Sequence, residues 1–135
     1  MTIPLYDVRD YTPNDKAFVI SSFLKGNYYG HSWFSLIPQA IYFENYHKVA
    51  EHLVRTATIK IACLPEDPTI IIGYSILSSD FQTIHWVHVK KKFRGLGVAK
   101  DLLPKHPQYV SHLNDLGQSL MPKFPTAVFN PFKLT

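Results

Sequence analysis

The segment that most constrains this chain is an apolar run leading straight into a basic, glycine-punctuated turn. Ile84-His85-Trp86-Val87-His88-Val89 has the β-branched and aromatic content of a buried strand, and Lys90-Lys91-Lys92-Phe93-Arg94-Gly95-Leu96-Gly97 comes next without a break. Val98 to about Leu103 then reads as a helix stopped by Pro104. Where a strand runs directly into a helix, several backbone N–H groups point outward unpaired, and the helix dipole adds partial positive charge. Glycines at 95 and 97 let the backbone approach a ligand without side-chain interference. The guest this suits is a phosphate or pyrophosphate, with Lys90, Lys91, Lys92 and Arg94 raising the local potential. Spacing alone reads equally well as a basic turn with two structural glycines, because Gly-x-Gly by itself is a weak signal. Neither Gly-x-x-x-x-Gly-Lys-Ser/Thr nor Gly-x-Gly-x-x-Gly occurs, which disfavours a nucleotide hydrolase or a dinucleotide enzyme.

Around this segment the chain alternates short strands and helices. Ile3 to Arg9 reads as an edge strand, and Thr12-Pro13-Asn14-Asp15 as a helix start with Thr12 as N-cap. Phe18, Ile20, Ser21 and Leu24 would form the buried stripe of that helix, ended by Gly26. An aromatic-rich link runs from Asn27 to Leu36, carrying Tyr28, Tyr29, Trp33 and Phe34. From Pro38 to about Arg55, Tyr42, Tyr46, Val49 and Leu53 recur at helical spacing and read as core. Ala57 to Leu64 and Thr69 to Leu77 read as a hairpin about a turn at Pro65-Glu66-Asp67-Pro68, with a third strand over Gln82 to Val89. Tyr109 to Leu113, Asn114 to Leu120 and Ala127 to Phe132 read as strand, short helix and strand. The order predicts an α+β fold with a mixed, mostly antiparallel sheet flanked by helices.

Composition bounds the class. With 135 residues, 46% of them apolar, the chain can bury a real core and reads as one domain over residues 1–135. The single cysteine, Cys63, cannot form an internal disulfide; it reads as a small buried apolar residue and points to a reducing compartment. No long apolar run and no leader-type N-terminus is seen, so the expectation is a cytoplasmic protein without a membrane span. A formal charge of +4 is compatible with an anionic ligand but does not demand nucleic acid.

Arg94-Gly95-Leu96-Gly97-Val98-Ala99 resembles the acyl-coenzyme A signature of the GNAT N-acetyltransferases, Arg/Gln-x-x-Gly-x-Gly/Ala, and lies where that family has it, between a strand and a helix. Val8 to Asp15 resembles the family's opening strand-loop-helix, and the hairpin with Gly73-Tyr74 its second and third strands. Asn114 resembles the asparagine often found after the fifth strand. The short length and the Phe129-Asn130-Pro131-Phe132 ending are similar to small phage and prophage members. The resemblance covers most of the chain in order and is specific over about residues 83–103.

By that resemblance the backbone amides near Arg94, Gly95, Leu96, Gly97, Val98 and Ala99 would hold the coenzyme A pyrophosphate, and Asn114 would belong to the same site. The main chain of Trp86, Val87, His88 and Val89 would bond the pantetheine arm, and an amide near Val87 or His88 would polarise the acetyl carbonyl. The implied activity is acetyl transfer from acetyl-CoA to an amine acceptor, be it small molecule, protein or nucleobase; a homodimer is compatible with the fold. Two features depart from the family. Its glutamate base falls on Thr83 here, and its tyrosine acid falls on Met121.

Substitute proton carriers can be named. His85 and His88 lie on the right strand; at i, i+3 they are expected on opposite faces, with alignment favouring His88. Ser111 and His112 are further candidates, and Tyr109 a weaker one. His31, His47, His52 and His106 are scattered, so no metal site is assigned. Two rival readings stay open: a GNAT-like phage protein that modifies nucleic-acid bases, and an inactive domain that binds coenzyme A or a host protein.

Overall fold

In a computed structural model of the chain, residues 5–30 and 34–134 are described. Ile3, His31 and Trp33, used in the sequence reading, lie outside them. The elements run β1 (Asp7–Asp10), α1 (Lys16–Gly30), α2 (Gln39–Thr56), β2 (Thr58–Leu64), β3 (Asp67–Leu77), β4 (Thr83–Val89), α3 (Val98–Leu102), β5 (Tyr109–Val110), α4 (Asp115–Leu120) and β6 (Val128–Phe129). One six-stranded sheet carries them in the order β1-β2-β3-β4-β5-β6. The first four strands are antiparallel; β5 joins β4, and β6 joins β5, in parallel. The α+β mixed sheet flanked by helices agrees with the sequence reading.

The start of α1 is fixed by side chains. Thr12 N–H donates to the Asp15 carboxylate at 2.8 Å, as an N-cap pair should. Arg9 on β1 grips both oxygens of Asp15 at 2.8 Å each and also donates to the Pro68 carbonyl, tying β1, the turn that leads into α1, and β3 together. This guanidinium, with the Thr12 amide, holds the Asp15 carboxyl below its ordinary range.

Gly26 does not end α1, which continues to Gly30 and takes in Tyr28 and Tyr29. A Cβ at Gly26 would lie 2.8 Å from the Trp86 indole, so this glycine lets the helix seat on the sheet. The buried stripe is also shifted: Val19, Phe23 and Asn27 are buried together with Ile20 and Leu24, while Ser21 faces solvent. On α2, Tyr42 and Leu53 are buried as predicted, with Tyr46 and Val49 partly so. Both helices cover one sheet face, on Ile59, Ile61, Cys63, Tyr74, Ile76 and Trp86. On the opposite face α3 packs over Ala62, Ile72 and Val89; further along, Leu77, Ile84 and Val110 are covered by Met121 and Phe124.

The strands depart from the sequence reading in several places, and β1 starts at Asp7 and runs to Asp10. Leu64 pairs with Asp67, so the hairpin turn is the two residues Pro65-Glu66 and β3 starts earlier. Tyr109–Val110 and Val128–Phe129 are two-residue strands rather than five or six. Between β3 and β4, Ile76 pairs with Trp86 but Leu77 with Ile84, so His85 is passed over as a β-bulge.

Candidate functional site

The bulge decides which way each later residue of β4 faces. In an antiparallel pair a residue's N–H and C=O point to the same side, and that side alternates. Asn114 Nδ2 donates to the Val87 carbonyl at 2.8 Å, and Arg94 Nε donates to the Val89 carbonyl at 2.9 Å. Those two carbonyls therefore point away from β3, and the amides of Val87 and Val89 point with them. Trp86 and His88 turn their main chains toward β3, opposite Ile76 and Tyr74. Of the four β4 residues named from the sequence, two present backbone to the outer edge.

That edge is open. β5 pairs with β4 at Thr83 and Ile84, and Ser111 N–H donates to the Ile84 carbonyl at 3.0 Å. Beyond this point the segment leaves β4 and recrosses to it through Asn114. The gap leads to the glycine turn. Gly95 and Gly97 have φ of +79° and +86°, the left-handed region that favours glycine. No atom lies within 4 Å of a Cβ built on Gly95, so conformation rather than crowding calls for glycine there.

A cavity of about 500 Å³ opens here. Arg94, Gly95, Gly97, Val98 and Ala99 line it together with Val89. Leu96 sits exposed at the tip of the turn, outside the lining. Three further cations, Lys100, Lys105 and Lys123, line the same cavity, and among the described residues no carboxylate does. Lys123 is far from the turn in sequence, Lys105 lies eight residues past Gly97, and nothing local marked either. Tyr6 packs beneath, its hydroxyl donating to Asp101 at the back of α3; that bond pushes the phenol up to about 12. The five-residue α3 is shorter than the sequence suggested and contributes little dipole, so attraction for an anion comes chiefly from the turn amides and the four cations.

The proposed carriers are distributed differently from expectation. Because the bulge interrupts the two-residue alternation, His85 and His88 both serve the face under α1 and α2 rather than opposite faces. His88 packs its ring 5.6 Å from that of Tyr74, whose hydroxyl donates to Ser22 of α1. Burial, with Arg94 and Lys90 nearby, holds the His88 imidazole below its usual pKa. His85 is joined to Ser111 and, through it, to His112 and Tyr46 on α2. Burial lowers His85 to about 4, so it is neutral at pH 7. Ser111 and His112 are thus brought together with His85, not with His88. Thr83 is fully buried in the β4–β5 pairing, and Met121 packs into the core beside Val110. Neither position offers an acid or base. Among the described residues no three His, Cys, Asp or Glu side chains converge, and no helix is long and apolar enough to cross a membrane.

The six-stranded mixed sheet flanked by helices is that of the GNAT-like acyl-CoA N-acyltransferase fold, which the chain has. The resemblance carried by residues 94–99 is therefore matched by the architecture around them. A Pyrococcus furiosus protein described as an acetyl transferase superposes with a TM-score of 0.59 at 15% identity, covering 93% of this chain and 81% of that one. A Corynebacterium glutamicum protein, described as histone acetyltransferase HPA2 and related acetyltransferase, gives 0.52 at 14% identity, covering 88% and 72%. The apo form of YjaB from Escherichia coli gives 0.51 at 16% identity; 73% of this chain spans 62% of that one. No protein-family model matches the sequence, and no curated protein matches it.

Proposed function

We propose that the protein is an acyl-coenzyme A-dependent N-acetyltransferase that passes the acetyl group directly to an amine. The observation that carries this reading is the alignment of two features: the open outer edge of β4 and the cationic, glycine-walled cavity at its end. The residues present suit coenzyme A. Among the described residues four cations and no carboxylate line a space of about 500 Å³, and two left-handed glycines keep that wall free of side chains.

Amides of residues 95–99 would hold the pyrophosphate, assisted by Arg94, Lys100, Lys105 and Lys123. The Val87 and Val89 main chains would align the pantetheine arm as an added strand does. When bound, acetyl-CoA supplies an activated acetyl group as a thioester. The Val87 amide, rather than that of His88, faces the gap and would be the donor that polarises the carbonyl. Holding amine and thioester together in the gap lowers the barrier further by proximity.

Calorimetry with acetyl-CoA tests the site, and an absence of heat at near-millimolar ligand would sink the reading. Release of free CoA in the presence of amines, peptides and DNA then identifies the acceptor class. Acetyl-CoA binding with no release from any acceptor would favour an inactive binder. A DNA complex that dissolves steeply with added salt would favour the nucleobase modifier.

A further inference from the structure

The open edge and the glycine turn leave unused a group of buried polar side chains under α1 and α2. Four of them, from three distant parts of the chain, form one continuous row. His85 Nδ1 lies 2.7 Å from Ser111 Oγ, Ser111 Oγ lies 2.9 Å from His112 Nδ1, and His112 Nε2 lies 2.6 Å from the Tyr46 hydroxyl. His85 and Ser111 are each 1% exposed, whereas Tyr46 is only partly buried. The row also passes beside the gap. Ser111 is bonded to Ile84 at the last β4–β5 contact and Asn114 to Val87, so His112 lies on the short span that crosses the gap.

Such a row must use each hydrogen once. Ser111 has a single hydroxyl hydrogen and sits between two ring nitrogens, so it donates to one and accepts from the other. If it donates to His85, it accepts from His112 Nδ1–H, and a His112 with one ring proton turns a bare Nε2 to Tyr46. If it donates to His112, both rings reverse. With one proton on each ring the two imidazoles therefore hold opposite tautomers, and the buried end sets what Tyr46 can do.

We infer that Tyr46 and His112 are the proton-handling pair of the proposed acetyl transfer, with Ser111 and His85 as positioning residues that set the His112 tautomer. This rests on the acetyltransferase reading above. With Ser111 donating to His85, the Tyr46 hydroxyl donates to His112 Nε2. As the amine attacks, it gives a proton to the Tyr46 oxygen while the Tyr46 proton passes to His112. The C–N bond forms and the thioester C–S bond breaks, its electron pair leaving on sulfur. Tyr46 then gives a proton to the sulfur and recovers one from His112. One proton leaves nitrogen, one reaches sulfur, and the pair ends as it began. The role is one that Thr83 and Met121 cannot fill.

Two experiments test this. The first is the ¹⁵N spectrum of the histidine rings in ligand-free protein at neutral pH. One of His85 and His112 is expected as the Nδ1–H form and the other as Nε2–H, with the pairing lost in Ser111→Ala. The same tautomer at both rings in the wild type would overturn the coupling whether or not the protein is an enzyme. The second compares Tyr46→Phe with wild type on the best amine acceptor found. A fall in kcat of at least about 10²-fold is expected, with acetyl-CoA affinity changed less than about twofold. Ser111→Ala should lower kcat by about tenfold, and Ser111→Thr should restore it. Wild-type kcat in Tyr46→Phe would overturn the pair while leaving the acetyltransferase reading standing. A wild-type protein that does not bind acetyl-CoA, or binds it but transfers to nothing, would overturn that reading and the catalytic role with it.

Discussion

Along its β3 side, β4 is paired from Ile84 to Val89, and the ladder continues as Lys90 N–H donates to the Ile72 carbonyl. Along its β5 side regular pairing covers two residues, after which two side chains, Asn114 and Arg94, stand in for a neighbouring strand. The same seven residues thus serve two purposes. The zipped edge fixes the position of each atom, and the open edge presents a row of backbone groups that a ligand can use. An open edge inside a sheet would be a liability in a loose structure. Here it is held rigid by the strand on its other side.

This contrast can be broken from either edge. The largest effect is expected on the open side: Gly97→Glu adds bulk and negative charge to the cationic cavity at a left-handed position. Acetyl-CoA affinity should fall by more than about 100-fold by calorimetry, with the fold intact by circular dichroism. Retained affinity would place the phosphate site elsewhere. On the zipped side, a Cβ at Gly73 would lie 2.7 Å from the His88 carbonyl oxygen, an obstacle made of backbone. Gly73→Ala should cost about 2–3 kcal/mol in denaturant unfolding, and an unchanged midpoint would show that β3 and β4 can move apart cheaply.

The third prediction concerns pH. His85 is held near 4 in the folded protein, against an ordinary value of 6.5. The unfolded chain binds the proton first, so the stability linked to this group is fully present above about 6.5 and declines as the pH falls toward 4. Between pH 7.5 and 5 the loss should be about 2 kcal/mol, and His85→Gln should flatten that part of the profile. A wild-type profile as flat as the variant's would mean that His85 is not shielded as described. The smallest effect is expected from Asn114→Ala, which removes one bond across the gap: about 1 kcal/mol of stability, with protection of the Val110–Leu113 amides reduced in hydrogen exchange. Unaltered protection would show that the gap is held open by other contacts.

What could be read from the sequence was whatever the chain encodes locally. Residues 84–99 announce strand, turn and helix start within one stretch, and the Thr12–Asp15 cap is a four-residue signal. The bulge at His85 was not legible, because it exists only relative to β3; strand alternation alone placed His85 and His88 on opposite faces. Gly26 looked like a helix stop because its function, room for Trp86, comes from 60 residues further on. Tyr46 and His112 meet across a similar distance, so adjacency marked Ser111-His112 but nothing marked their partner. Lys105 and Lys123 reach the cavity for the same reason, by folding rather than by motif.

The bulge at His85 is also a matter of parity. A strand distinguishes its two faces by counting in twos, and one extra residue changes odd to even for everything downstream. Trp86 points into the core and Val87 offers its amide to the gap because the count was shifted once, upstream of both. Removing His85 would therefore close the bulge and leave Trp86 to Val89 facing as they do, because Leu77 already pairs with Ile84 and Ile76 with Trp86. Flattening the bulge with His85 kept in the ladder would instead exchange inside for outside along the rest of the strand.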